Sequence, residues 1–459
     1  MNGLSVYELV IASRGTLLCG DLEYKIDKIA IDSREVGPDI AFIPIKGENQ
    51  DGHKFIRSAV ENGCRTVLKD KNYELDLSTE LFTGVNIVEV SDTTLALGDI
   101  ARYYRKKFEI DFIGITGSVG KTTTRDMVYA ALSSKFNVLK NERNLNNHLG
   151  VPLTLFNLNK EHDCAIIEMG MSGFGEIDYL VKIVNPKIAV ISNIGTSHIE
   201  NLGSRDGIFK AKMEITSDFG PENTLIVNGD DEYLSTLKDR DLPYKLKTFG
   251  FGKGNDVYCE EFELDEKSTT FTCVIGGEKF EVYIPIMGEH NIYNAMAAIL
   301  VGLEKGLTIE EIKRGFMGFT ATKMRLDIDD DGDYTIINDS YNASPDSMKA
   351  ALKVLGRYDK RRVAVLGDML EMGDFEEEGH RIVGKCAAEC TDVVIAIGES
   401  SKYLADEAVK CGIGTENVHY FETKELAMKN LNNILHLGDV VLVKASRGMK
   451  LEVVVEFLK

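Results

Sequence analysis

The sequence lacks the marks of several protein classes. Its eight cysteines are scattered without a C-x-x-C pair, and we interpret Cys386 and Cys390, four residues apart, as packing residues rather than a metal site. No apolar run approaches the roughly 20 residues that a membrane-spanning helix needs. The N-terminal apolar run is short, contains Glu8 and lacks the basic segment of a signal peptide. We therefore expect a protein of the reducing cytoplasm without membrane insertion.

A positive charge balance is also missing. The 53 Lys and Arg residues are outnumbered by 73 Asp and Glu residues, which gives a formal net charge of −20. This balance argues against nucleic acid or an acidic membrane surface as the main partner. The composition, 44% hydrophobic and 27% charged, is that of a soluble globular protein, and the length of 459 residues predicts about three domains.

The most informative stretch is FIGITGSVGKTTTR at positions 112–125. An apolar, β-branched run leads into a turn bracketed by Gly117 and Gly120, and Lys121-Thr122-Thr123 then opens a predicted helix. Such a loop points backbone N–H groups at an anion, while the lysine adds a positive charge and the first threonine offers a hydroxyl to Mg²⁺. The general pattern has glycine where this chain has Ile115, and an ordinary glycine-rich turn would look similar. The order of strand, glycines, Lys-Thr and helix nevertheless predicts a nucleoside triphosphate site.

Strands and helices alternate along most of the chain, which predicts an α/β fold of three domains. Residues 1–108 form a first α/β domain. Residues 109–320, with the phosphate loop, predict a central domain with a doubly wound, mainly parallel sheet. Residues 321–459 predict a Rossmann-like C-terminal α/β domain without a phosphate loop of its own.

Polar residues follow two apolar strands of the central domain. Glu168 ends CAIIE, and His198 comes just after ISNIG. Ligands of doubly wound sheets bind outside the carboxyl ends of the strands, so both side chains are expected at the phosphate-loop end. There they are candidate metal ligands, with a surface carboxylate and a capping histidine as the alternatives. Residues 204 to about 216 predict a helix on which at most one of Lys210 and Lys212 can face the site.

Several polar residues later in the chain allow two interpretations. Asn291 and Asn294 share one face of a predicted helix that would read a base edge, although Asn291 is also a candidate helix cap. Arg325, near the boundary at 320, would either reach a transferring phosphate or form an interdomain salt bridge. The acidic run at 327–332 imitates the start of a calcium loop, but its twelfth position is Asn338 instead of glutamate, so a hairpin turn is predicted.

Polar loops in the first half of the chain suit a phosphate, sugar or peptide ligand, or are solvated turns. Ser33 and Arg34 follow one predicted strand, Lys46 follows the next, and the amide-rich run Asn144-Leu145-Asn146-Asn147 lies between later elements.

Taken together, eleven segments in order resemble the Mur ligase family over essentially the whole chain. They are IDSREV…IPIKGENQDGHKF, GITGSVGKTTT, NLNNHLGVPLT, IIEMG, NIGTSHIE, KAKMEI, GEHNIYNAMAA, MRLD, NDSYNASPDSM, LGDMLEMG and KASRGMKLE. NDSYNASPDSM and LGDMLEMG favour the dipeptide-adding branch over branches that add a single amino acid, and the absence of a D-N-P-R signature agrees. The resemblance implies three domains: one for the UDP end of the substrate, one for ATP, and one that closes over both.

The resemblance implies an ATP-dependent, ADP-forming ligase of bacterial peptidoglycan synthesis. Its substrates would be UDP-N-acetylmuramoyl-tripeptide and D-alanyl-D-alanine, and its cofactors ATP and two Mg²⁺ ions. A carboxylate is a poor electrophile for an amine, and phosphorylation by ATP would turn it into a reactive acyl phosphate. The enzyme would be a monomer in the bacterial cytoplasm.

The resemblance also implies roles for individual residues. On ATP it places Gly117, Ser118, Val119, Gly120, Lys121, Thr122, Thr123, Asn291, Arg325 and Asp339. On the UDP-muramoyl peptide it places Ser33, Arg34, Lys46, Asn144, Asn146 and Asn147, and on the dipeptide Tyr341, Asn342 and Ser344. The metal ligands would be Thr122, Glu168, His198 and a carbamate on Lys212 rather than on Lys210. The catalytic set would be Lys121, Glu168, His198, Lys212 and Arg325.

Two alternatives are kept. A ligase of the folylpolyglutamate synthase type, from the same superfamily, would share the central domain but not the DSREV region. A nucleotide-switched binding protein of the GTPase class would need an N-K-x-D guanine reader, and the nearest string, at positions 159–162, ends in histidine.

Overall fold

The computed structural model describes residues 3–47, 50–142 and 144–459. Its strands are β1 Leu4–Ser5, β2 Thr16–Cys19, β3 Lys25–Ile26, β4 Lys28–Ala30, β5 Ile40–Phe42, β6 Thr66–Asp70, β7 Asn86–Val90, β8 Asp111–Thr116, β9 Val138–Lys140, β10 Cys164–Glu168, β11 Ile188–Ile191, β12 Thr224–Asn228, β13 Lys245–Gly250, β14 Val257–Leu264, β15 Thr269–Ile275, β16 Glu278–Ile284, β17 Asp327–Asp329, β18 Thr335–Asn338, β19 Arg362–Gly367, β20 Val393–Ile397, β21 Val418–Phe421 and β22 Val440–Lys444.

The helices fall between these strands, as the alternating pattern predicts. They are α1 Val6–Ser13, α2 Ile56–Glu61, α3 Thr93–Arg105, α4 Lys121–Leu132, α5 Gly150–Leu155, α6 Glu176–Val184, α7 Ile199–Leu202, α8 Arg205–Met213, α9 Glu289–Glu304, α10 Ile309–Phe316, α11 Pro345–Leu355, α12 Glu376–Cys390, α13 Ser401–Lys410, α14 Lys424–Ile434 and α15 Glu452–Leu458. Within the described residues, no helix is both long enough and apolar enough to cross a bilayer.

The backbone contacts divide the chain into two compact units. The first consists of Met1–Gly114, Phe136–Gly170 and Glu176–Lys187, and the second of Ile115–Lys135, Met171–Gly175 and Ile188–Lys459. Strand β8 begins in the first unit and ends in the second, at the phosphate loop.

The first unit contains a five-stranded sheet in the order β2-β7-β6-β5-β4. Strands β4 to β7 pair in parallel, and β2 adds an antiparallel edge to β7. Helix α3 begins at the cap Asp92, whose side chain accepts a hydrogen bond from the Leu95 N–H, and it packs against α5 and α6. Gly98 permits this approach, because a Cβ atom there would lie 2.0 Å from the Tyr179 hydroxyl on α6.

The second unit contains a mixed sheet and a six-stranded sheet. In the mixed sheet, β11, β12, β13 and β14 are successive parallel neighbours, and β14, β15 and β16 continue it as an antiparallel meander. Helix α4 packs against α9 and α10, and Gly315 of α10 allows close contact because a Cβ there would lie 2.3 Å from the Ala130 carbonyl oxygen. The meander was not part of the sequence prediction.

The six-stranded sheet has the order β17-β18-β22-β19-β20-β21. It is parallel except for β17, which pairs antiparallel with β18 and confirms the hairpin predicted for the acidic run. Strands β19, β20 and β22 are buried on both faces, as parallel strands between helical layers should be, whereas the edge strands β17 and β21 are only partly buried. The α/β class with mostly parallel sheets is confirmed, whereas the boundaries at 108 and 320 stay predictions.

Candidate active site

The phosphate loop connects β8 to α4 through two glycines in the left-handed half of backbone space. Gly117 has φ 148° and Gly120 has φ 85°. A Cβ at Gly117 would lie 1.9 Å from the Ser192 hydroxyl, so this position requires glycine. Asn193 ties the loop down, since its side chain accepts from the Val119 N–H at 2.9 Å and donates to the Val119 carbonyl at 2.9 Å. The loop is therefore held in shape by protein contacts.

Lys121 is the first residue of α4, and its side chain turns back over the loop. Its Nζ donates to the carbonyl oxygens of Gly117 at 2.8 Å and Ser118 at 3.3 Å. The ammonium group therefore lies beside the N-terminus of α4, where the helix dipole also favours an anion. This is the arrangement that the sequence predicts for a phosphate site.

The loop forms one wall of a cavity of about 110 Å³. The other lining residues come from α9, from the segment around Arg325 and from the strand ends at Asp339 and Lys444. Predicted residues that share this lining are Ser118, Val119, Gly120, Lys121, Thr122, Thr123, Asn291, Arg325, Asp339, Asn342 and Ser344. The structure thus brings together most of the predicted ATP residues and two of the predicted dipeptide residues.

A buried ion pair lines this cavity. Lys444 is 1% exposed, and its Nζ donates to Asp339 Oδ2 at 2.5 Å and to the Asn342 carbonyl at 2.8 Å. The other carboxylate oxygen of Asp339 accepts from the Leu326 N–H at 3.2 Å. Burial lowers the pKa of Lys444, although the charge of Asp339 and its hydrogen bond oppose that shift.

Arg325 packs on an aromatic ring. Its guanidinium carbon lies 4.0 Å from the centre of the Tyr341 ring. The residues on either side, Met324 with φ 63° and Leu326 with φ 51°, adopt the left-handed conformation that non-glycine residues seldom occupy. Within the described chain, Arg325 forms no ion pair, so the alternative of an interdomain salt bridge is not found in this structure.

Asn291 and Asn294 lie on one face of α9, as their spacing predicts, and both are buried. Asn291 donates to the Met287 carbonyl at 2.8 Å, and its side-chain oxygen accepts from Asn294 at 3.0 Å. Asn294 in turn accepts from the Thr124 hydroxyl of α4 at 2.9 Å. Because Gly288 occupies the N-cap of α9, the alternative that Asn291 caps this helix is wrong.

Lys210 and Lys212 point in different directions from α8. Lys210 is exposed, whereas Lys212 is only 2% exposed. Burial, with a further contribution from the positive charge of Lys121, lowers the pKa of Lys212 well below its ordinary value. A buried amine that loses its proton readily is the nucleophile that reacts with CO₂, so the environment of Lys212 fits the predicted carbamate.

His198 lies at the N-cap position of α7 with φ 62°, but its side chain makes no capping hydrogen bond. Its Nδ1 instead lies 2.5 Å from Glu371 Oε2, and this hydrogen bond lowers the pKa of Glu371 despite partial burial. The pair lines a second cavity of about 140 Å³, together with Ser197, Asn342, Ala343, Ser344, Leu370, Met372, Ser446, Arg447 and Gly448. Ser197, Asn342, Ala343 and Ser344 also line the phosphate-loop cavity.

Within the residues that the structure describes, no three His, Cys, Asp or Glu side chains form a metal-binding group by themselves. The predicted ligand set does not require one, because it includes the hydroxyl of Thr122 and a carbamate on Lys212. Thr122 is the buried second residue of α4, and Nδ1 of His198 is already engaged by Glu371, which leaves Nε2 for a ligand. These donor types fit Mg²⁺.

The remaining predicted residues lie in the first unit. Glu168, at the end of β10, is 2% exposed, so the alternative of a surface carboxylate is wrong. Its Oε1 accepts from the Asn146 side chain at 2.8 Å. Asn147 accepts from the Gly150 N–H at 2.9 Å at the start of α5, and Asn144 is exposed.

Ser33, Arg34 and Lys46 occupy loops of the first unit. Arg34 is exposed and pairs with Asp32 at 2.6 Å, which lowers the pKa of Asp32 to about 2. Lys46 is also exposed and forms a backbone bridge with Asp51. Positions 48 and 49 of the motif IPIKGENQDGHKF lie outside the described residues.

Sequence reasoning did not assign roles to Lys444 or Glu371. The sequence does mark Lys444 as a candidate site residue, because it directly follows the continuous apolar run VVLV at the end of a strand. No local pattern marks Glu371 as a site residue, since its partner His198 is 173 residues away.

The comparisons with known proteins agree with this geometry. Three family descriptions match the chain: "Mur ligase family, catalytic domain" over residues 25–105, "Mur ligase middle domain" over 115–302, and "Mur ligase, glutamate ligase domain" over 324–447. The UDP-N-acetylmuramoyl-tripeptide–D-alanyl-D-alanine ligase of Bacillus subtilis strain 168 is 40% identical over 451 residues, which cover 97% of this chain and 96% of that protein.

Solved structures of Mur ligases also match the chain. A MurF crystal structure from Acinetobacter baumannii matches with a TM-score of 0.92 and 33% identity, covering 100% of this chain and 99% of that one. MurF from Thermotoga maritima in complex with ADP matches with a TM-score of 0.82 and 27% identity, covering 94% and 96%. The chain belongs to the Mur ligase family. The predicted three-domain α/β fold and the prediction of an ATP-dependent, ADP-forming ligase are confirmed.

Proposed function

We propose that this chain joins D-alanyl-D-alanine to UDP-N-acetylmuramoyl-tripeptide in the bacterial cytoplasm and so completes a peptidoglycan precursor. The observation that carries the proposal is the cavity that the phosphate loop lines together with Arg325 and the Asp339–Lys444 pair. The similarity to ligases named for this reaction supports the choice of substrates. We also propose a monomer with domains 1–108, 109–320 and 321–459.

The residues of the cavity suit phosphoryl transfer to a carboxylate. Lys121 and the loop N–H groups hold and neutralise the phosphates of ATP, while Asn291 and Asp339 position the rest of the nucleotide. Arg325, which lines the same cavity as the loop, stabilises the charge that develops on the transferring phosphoryl group. An oxygen of the tripeptide carboxylate attacks the γ-phosphorus and ADP leaves.

The second step forms the peptide bond. The amine of D-alanyl-D-alanine attacks the acyl carbon, the tetrahedral intermediate collapses, and inorganic phosphate departs with the carboxylate oxygen that attacked ATP. Tyr341, Asn342 and Ser344 are the proposed dipeptide contacts. Two of them, Asn342 and Ser344, line both cavities, so a dipeptide bound there lies next to the phosphate loop.

Two Mg²⁺ ions, when bound, neutralise the phosphates and orient them for in-line transfer. We propose that Thr122 and Glu168 bind one ion and that His198 and the Lys212 carbamate bind the other. In this proposal the neutral Lys212 amine adds to CO₂ and releases one proton, which leaves an anionic carbamate as the ligand.

The UDP-muramoyl peptide is assigned to the loops of the first unit. Arg34 and Lys46 are exposed cations that suit the diphosphate, and Ser33 offers a hydroxyl beside them. Asn144, Asn146 and Asn147 offer amides that both donate and accept, which suits a sugar or peptide.

One incubation tests this function. The protein is mixed with ATP, Mg²⁺, D-alanyl-D-alanine and either the lysine or the diaminopimelate form of the UDP-tripeptide, and the product is weighed by mass spectrometry. The expected product is the UDP-pentapeptide with one ADP formed per peptide bond. Two parallel incubations test the alternatives: in one, folate and glutamate replace the UDP-tripeptide and the dipeptide, and in the other, GTP replaces ATP. Turnover in either of those incubations but not in the first would overturn the proposal.

A further inference from the structure

The contact between His198 and Glu371 has no role in the function described so far. His198 follows β11, whereas Glu371 follows β19, and both residues belong to the second unit. Their side chains meet at 2.5 Å, Nδ1 to Oε2. Among the residues that the structure describes, the other ring nitrogen, Nε2, has no hydrogen-bonding partner.

The backbones around this contact are also packed together. The Glu200 N–H donates to the Glu371 carbonyl at 3.4 Å. Gly373 lies so close to α7 that a Cβ atom there would come within 3.2 Å of the Glu200 Cα. The side-chain contact is therefore supported by a main-chain hydrogen bond and by close packing of the two segments.

The chemistry of a neutral imidazole makes this contact informative. One ring nitrogen carries the proton and the other presents a lone pair, and only the lone pair can bind a cation. A carboxylate beside Nδ1 keeps the proton on Nδ1 and leaves the lone pair on Nε2. Carboxylates placed behind metal-binding histidines fix the tautomer and the ring orientation in this way.

We propose that Glu371 is a positioning residue that fixes His198 as the Nδ1–H tautomer and makes Nε2 the metal-binding atom. This rests on the metal role given to His198 in the proposed function. It adds that a residue of the segment after β19 prepares a ligand located after β11. The histidine is then oriented only while these two segments are packed together.

The tautomer is measured directly on metal-free protein. Two-bond ¹H–¹⁵N correlations of ¹⁵N-histidine-labelled protein, recorded at an alkaline pH at which no imidazolium signal remains, identify the protonated nitrogen. His198 is assigned by comparison with His198→Ala. We expect Nδ1–H in the parent, Nδ1–H again in Glu371→Gln, whose amide oxygen still accepts a hydrogen bond, and a shift to Nε2–H in Glu371→Ala.

The matched control is Glu378→Ala, which removes an exposed carboxylate from the following helix and touches neither residue. It should leave the tautomer unchanged. An unchanged Nδ1–H signal in Glu371→Ala, or an Nε2–H signal in the parent, overturns the proposal. A purely structural role for Glu371 would lower the melting temperature in Glu371→Ala without moving the proton.

Metal affinity gives a second readout that does not depend on turnover. Mn²⁺ binding in the presence of ADP is followed by electron paramagnetic resonance. Loss of such a supporting carboxylate typically weakens metal binding about 10- to 100-fold, so we expect that loss in Glu371→Ala, a smaller one in Glu371→Gln and none in Glu378→Ala. Equal affinity in Glu371→Ala and the parent contradicts the proposal. His198→Ala separates the metal role of His198 from the positioning role of Glu371. Unchanged Mn²⁺ binding in His198→Ala would show that His198 is not a metal ligand.

Discussion

The phosphate-loop cavity of the second unit and the loop of the first unit that carries Arg34 hold their polar residues differently. In the phosphate-loop cavity, contacts join distant parts of the chain: Thr124 binds Asn294 170 residues away, and Lys444 binds Asp339 105 residues away. In the first unit, Arg34 pairs with Asp32, two positions away, and remains exposed.

This difference separates two kinds of function. Buried polar groups that are fully hydrogen-bonded are fixed before a ligand arrives, which is what electrostatic stabilisation of a transition state requires. Exposed residues with local partners exchange them readily for a ligand and mainly contribute binding. Changes in the cavity should therefore lower kcat or stability, whereas changes in the loops proposed to bind the UDP-tripeptide should raise one KM.

The largest effect is expected at the phosphate loop. Lys121→Ala removes the positive charge at the start of α4, and loss of one such preorganised group typically costs on the order of 10²–10³-fold in kcat. ADP release with all substrates present measures the effect, and circular dichroism checks the fold. Lys135→Ala, which removes a half-exposed lysine after the same helix, is the control. Normal turnover in Lys121→Ala would place the nucleotide elsewhere.

The next largest effect is a difference in activity between substitutions of Lys212 and Lys210, two lysines of helix α8. Lys212→Ala should lose activity roughly 100-fold, as expected when a metal ligand or its direct support is lost, because the carbamate can no longer form. A short carboxylic acid such as acetate should restore part of the activity by replacing the carbamate anion. Lys210→Ala should behave like the parent because its side chain is exposed. Parent-like activity in Lys212→Ala removes this residue from the site.

The third effect concerns stability. Lys444→Met leaves the buried carboxylate of Asp339 without its partner, which should cost about 3 kcal/mol of unfolding free energy. The double variant Lys444→Met/Asp339→Asn should recover much of that loss, because no charge is then left unpaired. Urea unfolding measures both, and Lys450→Gln, an exposed neighbour, is the control. Equal losses in the single and double variants would show that the pair does not act as a unit.

The smallest effect is expected at Arg34, in a loop proposed to bind the UDP-tripeptide. Arg34→Ala should raise the KM for the UDP-tripeptide about tenfold, equivalent to about 1.4 kcal/mol, while the KM for ATP and the melting temperature stay unchanged. Steady-state kinetics with each substrate varied in turn checks this. A fall in kcat with an unchanged KM would contradict this prediction, because Arg34 would then stabilise the transition state, as the cavity residues are expected to do.

Local patterns explain which parts of the structure could be predicted. The phosphate loop, the strands after it and the exposure difference between Lys210 and Lys212 follow from spacing along a few residues. The meander β14–β16 was missed, because its strands are partly exposed and lack the continuous apolar runs that identify buried parallel strands.

Long-range contacts explain what could not be predicted. The sequence identified His198 and Asp339 as candidates, but their partners Glu371 and Lys444 are 173 and 105 residues away. Nothing in the local pattern indicates such a pairing, because it depends on how separate elements pack.

Oxygen transfer from the substrate to the released phosphate shows whether the acid is activated as an acyl phosphate. The tripeptide carboxylate is labelled with ¹⁸O, and the inorganic phosphate formed with ATP, Mg²⁺ and D-alanyl-D-alanine is analysed by ³¹P nuclear magnetic resonance or mass spectrometry. If the phosphate-loop cavity activates the acid as an acyl phosphate, each phosphate released from fully labelled substrate carries one ¹⁸O atom. Unlabelled phosphate, or label found in AMP, would contradict the account.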